Sequence, residues 1–227
     1  MNCYCTFRCV LQRKNMKQFT INPNPFLKIS TQGFYSVNYY RHGHPLHPTC
    51  LTDLKNTFNN LNDENGRKKL KTALIEVRNH LRSAIPEIEQ LINFPSRVLC
   101  VVPRAKAEDQ YEVPQTLFRY AVELFAKESE QYIDGTRYIL RHTNTKTTHL
   151  RSDFSGYVND GASPYPGITR STCDINPKVR GKHILLIDDI YTPGVNIDED
   201  AIQALYNCGA AHVTFYAVAK TDSSHAE

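Results

Sequence analysis

Three apolar runs dominate the pattern of hydrophobic and polar positions along the chain. Residues 98–102 read Val-Leu-Cys-Val-Val, residues 184–187 read Ile-Leu-Leu-Ile, and residues 210–219 carry few polar side chains. Continuous apolar runs of this length are typical of parallel strands that are covered on both faces. We therefore predict three strands inside a buried sheet.

Helical patterns separate these runs. Residues 115–129 repeat their apolar positions at helical spacing, and residues 197–206 follow the second run with a similar pattern. The inward positions of the first helix are expected to be Leu117, Ala121, Leu124 and Phe125. The order strand, helix, strand, long loop, strand, helix, strand predicts an α/β fold with a doubly wound, mostly parallel sheet.

The N-terminal part of the chain is less regular. Residues 1–62 read as irregular, except that the aromatic and β-branched stretch 34–40 predicts a strand. A helix is predicted over 67–83, interrupted afterwards by Pro86. The apolar face of this helix consists of Leu70, Leu74, Val77 and Leu81. We divide the chain into a helical or irregular extension (1–95), a core (96–221) and a polar tail (222–227).

Composition narrows the class of protein. The chain has 227 residues, 41% hydrophobic and 22% charged, which is ordinary for a globular domain. No apolar run is long enough to span a bilayer, and the first ten residues do not resemble a secretory signal. Seven cysteines, an odd number, fit a reduced compartment, so we expect a cytoplasmic protein without membrane contact.

Charge is modest overall and concentrated in one segment. The net charge is +4, yet residues 137–151 contain six basic or histidine side chains and no acid. The segment is either a solvated surface loop or a mobile loop that closes over an anion. Nucleic-acid binding is the less favoured third interpretation, because it requires stronger global basicity and interleaved aromatic residues.

The most informative stretch follows the second apolar run. Asp188 and Asp189 come directly after Ile187, and a short turn then leads into the helix predicted over 197–206. Unpaired backbone N–H groups and the helix dipole favour an anion at such a junction. Two carboxylates beside an anion site suit hydroxyl groups or a metal ion. The junction therefore indicates a sugar phosphate ligand.

The segment 182–196 resembles the signature of the type I phosphoribosyltransferases, which bind 5-phosphoribosyl-1-pyrophosphate. The resemblance covers about residues 97–220 and is nearest to the branch related to the competence protein ComF and to the amidophosphoribosyltransferases. It implies an Mg²⁺-dependent transferase that moves the phosphoribosyl group to an acceptor and releases pyrophosphate. It leaves a homodimer open.

The resemblance also assigns roles. It makes Asp188 and Asp189 the catalytic pair, which accepts hydrogen bonds from the ribose hydroxyls. Fixed carboxylates there also stabilise the positive charge that develops at C1 in the transition state. The loop that holds the 5-phosphate consists of Tyr191, Thr192, Pro193, Gly194, Val195 and Asn196.

This loop departs from the family pattern. Where the family usually reads Thr-Thr-Gly-Ala-Thr, this chain reads Thr192-Pro193-Gly194-Val195-Asn196. Pro193 offers neither an N–H nor a hydroxyl group, and Asn196 replaces a hydroxyl with a carboxamide. The departure puts the affinity for the phosphoribosyl donor in doubt, rather than the fold.

Four basic residues are the candidates for contacting pyrophosphate. Arg104 and Lys106 follow the first core strand, and Arg141 and Lys146 lie in the basic segment that resembles the family's middle segment. Arginine supplies a forked donor and lysine a point charge. The alternative for Arg104 is a simple pairing with a surface carboxylate.

Zinc is a less favoured possibility. ComF-like proteins often carry an N-terminal zinc ribbon with Cys-x-x-Cys pairs, and this chain has none. Scattered thiols are the favoured interpretation, and no metal ligand is assigned. The residues that raise the question are Cys3, Cys5, Cys9, Cys50, His42, His44 and His47.

The acceptor is unidentified at this stage. We expect residues 1–95 or 144–180 to supply the hood that forms its pocket. The alternative from another class is a sensor or interaction module that binds phosphoribosyl pyrophosphate or a nucleotide without turnover.

Overall fold

A computed structural model describes residues 16–55, 63–92, 98–148, 159 and 161–221. Its strands are β1 (Lys17–Ile21), β2 (Thr31–Tyr39), β3 (Val98–Val101), β4 (Ile133–Asp134), β5 (Ile139–Arg141), β6 (Cys173–Ile175), β7 (His183–Tyr191) and β8 (His212–Thr221). Its α-helices are α1 (Thr49–Leu54), α2 (Glu64–Leu91), α3 (Val113–Glu128) and α4 (Ile197–Asn207).

Six of these strands form one sheet in the order β1-β2-β8-β7-β3-β4. Every neighbouring pair is parallel except β1 and β2, which are antiparallel. The three predicted apolar strands are β3, β7 and β8, and β7 lies between the other two. The predicted α/β fold with a mostly parallel sheet is confirmed.

Helices cover both faces of the sheet. The buried side chains of α1, α2 and α3 pack with Leu99, Leu185 and Tyr216 on one face. Those of α4 pack with Leu186 and Phe215 on the other face. Strands β3, β7 and β8 are therefore screened from water on both sides, which explains their uninterrupted apolar sequence.

The structure corrects four sequence-based expectations. Residues 16–55 are not irregular, because they contain β1, β2 and α1, and β2 covers residues 34–39 of the predicted stretch 34–40. Pro86 does not interrupt the second helix, because α2 continues to Leu91.

The other two corrections concern the core. The order of elements predicts a core strand between the helix at 115–129 and the long loop, where the segment from Tyr138 lies. This segment forms β5, which pairs with β6 in a separate two-stranded sheet and not with the main sheet. The buried face of α3 is also rotated relative to the prediction, so that Leu117 and Leu124 are only partly buried. The inward positions are Phe118, Ala121, Val122, Phe125 and Ala126.

The predicted division at residue 95 stays a prediction. Strands β1 and β2 extend the same sheet, and α2 packs on it. The predicted polar tail and Arg151 lie outside the described residues. Among the helices of the described ranges, none combines the length and the apolarity needed to cross a membrane.

Candidate ligand-binding site

The direction of the chain connections reverses between β3 and β7. From β3 the chain passes through α3 to β4 on one side, and from β7 it passes through α4 to β8 on the other side. In open α/β sheets the crevice at such a switch point, outside the carboxyl ends of the strands, is where ligands bind. The loop after β3 and the loop after β7 both begin at this crevice.

A cleft opens at this position. It contains about 420 Å³ of empty space, counting its open mouth. Backbone and side chains of β3, the loop after it, α3 and the end of β7 form its walls. The polar residues among them are Arg104, Tyr111, Gln115, Arg119, Thr136, Asp188 and Asp189.

The two adjacent carboxylates at the end of β7 have different partners. Asp189 is largely buried, and its Oδ1 lies 2.8 Å from the Nζ atom of Lys55. Lys55 is the first residue after α1. Asp188 shares a hydrogen bond with the side chain of Asp198 in the first turn of α4. The helices α1 and α4 cover opposite faces of the sheet. Asp188 and Asp189 therefore contact residues from both helical layers at the crevice.

The carboxyl groups of Asp188 and Asp198 keep a proton at higher pH than ordinary aspartates do. Burial, reinforced by the charge of Asp189, raises the pKa of Asp188 to about 7, although Lys55 acts in the opposite direction. Burial and the nearby Asp188 also raise the pKa of Asp198 well above its usual range. Two carboxyl groups in hydrogen-bond contact retain a proton because two like charges at that distance repel each other.

The phosphate-loop candidate forms a tight turn. The N–H of Val195 donates to the carbonyl of Thr192 over 3.1 Å, and Gly194 has a φ of 81°. Proline at the second position and a left-handed glycine at the third are the features of a type II turn. Pro193 and Gly194 are exposed, so the proline that departs from the family pattern fits the turn that this chain adopts.

The two ends of this loop differ in environment. The ring of Tyr191 is buried, and its hydroxyl group donates to Oε1 of Glu199 over 2.9 Å. Asn196 stands before α4 with a left-handed φ of 61°, and its side chain makes no capping hydrogen bond. The middle of the loop is therefore open to solvent, although it does not line the cleft described above.

The loop after β3 is tied to the basic segment. The guanidinium of Arg141 is buried, and its Nε donates to the carbonyl of Arg104 over 2.6 Å. The N–H of Thr145 donates to the carbonyl of Ala105 over 2.8 Å. The sequence predicted both segments as anion-binding candidates, and the structure brings them together.

The four basic candidates are placed differently. Arg104 is only partly buried and lines the cleft, where its Nη2 donates to the carbonyl of Lys55 over 3.3 Å. Arg141 also donates to the carbonyl of Gly167, so it supports the loop from within the protein. Lys106 is half-buried and Lys146 is exposed, and neither lines the cleft.

Sequence reasoning missed several residues of this site. Nothing in the sequence around Lys55 or Tyr111 indicates a binding site. Lys55 follows a short helix, and Tyr111 lies in a loop. The run Asp198-Glu199-Asp200 was visible in the sequence as three acids opening a helix. Their burial was the unexpected part, because most acids in a first helical turn are solvated.

Among the residues that raise the question of zinc, His42, His44, His47 and Cys50 lie in the described part of the chain. Both ring nitrogens of His47 are engaged, with Tyr40 and Thr52, and Cys50 is buried. No group of three or more potential metal ligands with suitable geometry occurs in residues 16–55, 63–92, 98–148, 159 and 161–221. Cys3, Cys5 and Cys9 lie outside the described residues.

Fold and site together define an α/β protein with a cleft at a topological switch point, lined by two aspartates and two arginines. No protein-family model matches this chain, and no curated protein sequence matches it. A solved structure described as the allosteric regulatory enzyme of purine biosynthesis is similar, with 15% sequence identity and a TM-score of 0.32. The similarity covers 62% of this chain, which spans about a quarter (25%) of the length of that one.

Proposed function

We propose that this protein is a phosphoribosyltransferase that binds 5-phosphoribosyl-1-pyrophosphate and transfers its phosphoribosyl group to an acceptor. The observation that carries the proposal is the junction at the end of β7. There, Asp188 and Asp189 are followed directly by the turn Thr192–Val195 and by α4, at the switch point of the sheet. The resemblance of residues 182–196 to the family signature agrees with this placement.

In this proposal each part of the site binds one part of the donor. The carboxylates of Asp188 and Asp189 accept hydrogen bonds from the ribose hydroxyls and stabilise positive charge at C1. The exposed turn around Gly194 receives the 5-phosphate, since glycine lets the backbone approach closely. Arg104, on the opposite wall of the cleft, binds the pyrophosphate through its forked donors.

The residues present fit a magnesium ion. Mg²⁺ prefers oxygen ligands and is commonly held by one or two carboxylates together with substrate phosphates. Asp188 and Asp189 would hold it here, and the buried Oδ1 of Asp198 has no hydrogen-bond partner among the described residues. When bound, the ion would neutralise charge on the leaving pyrophosphate.

Residues from the predicted N-terminal extension reach the cleft. Lys55 contacts Asp189 through its side chain and Arg104 through its carbonyl. This supports the proposal that the extension contributes to the acceptor pocket. The acceptor itself remains to be identified by experiment.

A second candidate function is a sensor that binds the same donor without turnover. The observation in its favour is that both carboxylates have partners within the protein, Lys55 and Asp198. A ligand that displaces Lys55 would release α1 and change the surface around it.

Calorimetric titration with phosphoribosyl pyrophosphate, with and without Mg²⁺, tests the proposal. We expect micromolar to millimolar binding at pH 8 that strengthens with Mg²⁺. Pyrophosphate release in the presence of a panel of amines and nucleobases then separates the transferase from the sensor. Absence of binding under both conditions would refute both functions.

Lys55→Met is expected to weaken donor binding at pH 7 by about tenfold. The charge of Lys55 lowers the pKa of Asp188, so its removal raises that pKa and leaves a smaller ionised fraction at neutral pH. The loss should largely disappear at pH 8.5, where Asp188 is ionised in both proteins.

Titrations at both pH values check this prediction. Lys178→Met removes an exposed lysine that does not line the cleft and should bind like the wild type at both pH values. Unchanged binding by Lys55→Met at pH 7 would refute this effect of the lysine on Asp188, and tighter binding would show that the lysine opposes the ligand.

A further inference from the structure

The connection between β1 and β2 carries a rigid asparagine. The Oδ1 atom of Asn24 accepts hydrogen bonds from the N–H groups of Phe26 and Leu27, over 2.8 and 3.0 Å. Backbone hydrogen bonds between Asn24 and Leu27 close the same turn, and Leu27 is fully buried. The carboxamide of Asn24 therefore has one orientation, since its oxygen is engaged twice by its own turn.

The nitrogen of this carboxamide points to the loop after β7. Nδ2 of Asn24 donates to Oδ1 of Asn196 over 3.1 Å, and Nδ2 of Asn196 donates to the carbonyl of Gly194 over 3.0 Å. Two consecutive amide hydrogen bonds thus connect the β1–β2 turn with the exposed turn after β7.

The residues at the end of these two hydrogen bonds have an energetically unfavourable backbone conformation. Asn196 and Gly194 both have left-handed φ values, within three positions of each other. A non-glycine residue reaches this region only at a cost, although asparagine tolerates it better than most residues. The side chain of Asn196 does not cap α4, so its two hydrogen bonds serve the loop itself.

We propose that Asn24 is a positioning residue for the anion-binding turn at residues 192–196. The inference rests on the proposed function in assigning a phosphate to this turn. Asn24 does not touch the ligand. It holds Asn196, and through it Gly194, in the conformation that presents the backbone of the turn to a phosphate group.

A second contact between the same two regions supplies a control. The N–H of Lys28 donates to Oε1 of Gln203 over 2.8 Å, which links the β1–β2 connection to the exposed side of α4. Gln203→Ala removes this link and leaves the turn untouched. Asn24→Asp keeps the acceptor of its own turn and removes the donor toward Asn196. Because it also adds a negative charge, amide exchange of the turn measured without ribose 5-phosphate is the readout that reports positioning alone.

The experiment compares wild type, Asn24→Asp and Gln203→Ala by hydrogen exchange and by titration with ribose 5-phosphate. In Asn24→Asp we expect faster exchange of the Val195 amide and a dissociation constant raised about 3- to 10-fold, the effect of one lost hydrogen bond. If the Asn196 carboxamide rotates so that its Nδ2 donates to the new carboxylate at position 24, its hydrogen bond to the Gly194 carbonyl is lost. The melting temperature and the exchange of β7 should stay close to wild type, and Gln203→Ala should bind normally.

The outcomes separate this inference from the proposed function. Wild-type exchange and wild-type affinity in Asn24→Asp would overturn the role of Asn24 and leave the proposed function standing. An equal loss of affinity in Gln203→Ala would also overturn it, by showing that general docking of the segment matters. A wild-type protein that binds no ribose 5-phosphate refutes the proposed function, and with it the role of Asn24 in binding.

Discussion

Simultaneous replacement of Asp188 and Asp189 by asparagine is expected to abolish donor binding while the fold persists. Each carboxylate is proposed to accept a hydrogen bond from a ribose hydroxyl, and hydrogen bonds to charged groups contribute about 1.5–3 kcal/mol each. Two such losses correspond to a decrease in affinity of roughly 10²- to 10⁴-fold. The effect is the largest that we expect from any substitution in the cleft.

The fold should tolerate this change. The asparagine amide at position 188 can still donate to Asp198, and Lys55 has a partly exposed side chain that water can solvate. Calorimetry with phosphoribosyl pyrophosphate measures the affinity, and circular dichroism and thermal melting check the fold.

A matched double variant controls for the loss of two negative charges. Glu123→Gln with Glu130→Gln removes two carboxylates that do not line the cleft, one on α3 and one just after it. It should bind the donor like the wild type. Undiminished affinity in the double asparagine variant would end the assignment of the acidic pair to the ribose.

Replacement of Asp198 by asparagine is expected to stabilise the protein at pH 8 by about 1–2 kcal/mol, the scale of roughly one pKa unit. Burial raises the pKa of both Asp188 and Asp198. Between about pH 4, where aspartates of the unfolded chain ionise, and pH 7 or above, the folded protein binds more protons than the unfolded one. Stability contributed by the protonated pair is thus complete below about pH 4 and is lost as pH rises through the folded pKa values.

Asp198→Asn removes the ionisable group at position 198, so only Asp188 becomes charged inside the protein as pH rises. The asparagine amide can still donate a hydrogen bond to Asp188. Denaturant unfolding at pH 4, 6 and 8 should therefore show little difference at pH 4 and a widening advantage of Asp198→Asn toward pH 8. Glu64→Gln, which changes an exposed carboxylate at the start of α2, should alter stability by less than about 0.5 kcal/mol throughout. A destabilised Asp198→Asn protein at pH 8 would mean that this carboxylate is needed in its charged form.

The same electrostatics predict how ligand binding depends on pH. Asp188 accepts a stronger hydrogen bond from a ribose hydroxyl as a carboxylate than as a protonated acid, so wild-type affinity should rise as pH passes through about 7. A flat profile between pH 6 and pH 8.5 would show that the ligand does not depend on the ionisation of Asp188.

Sequence alone determined the α/β class and the junction at the end of β7. Strands β3, β7 and β8 are buried on both faces, so their apolar runs identify them without knowledge of their neighbours. The junction at Asp188 and Asp189 is likewise a local signal, because strand, turn and helix follow each other directly in the chain.

Local signals were misleading where packing outweighs propensity. Pro86 removes a backbone donor from α2 and predicts an end of the helix. The helix nevertheless continues, because Ile85 and Ile88 on either side of the proline are completely buried against the sheet. In a similar way, Arg141 belongs to a segment that reads as solvated, yet carbonyl groups of Arg104 and Gly167 receive it inside the protein.

Tertiary structure alone decided which groups complete the site. Lys55 meets Asp189 across 134 positions of the chain, and Asn24 meets Asn196 across 172. Hydrophobic periodicity is a property of a few consecutive turns or residues, so it carries no information about such pairs. The order of strands in the sheet brings the loops after β3 and β7 to one crevice, and packing places Lys55 and the β1–β2 connection against residues of β7 and the loop after it.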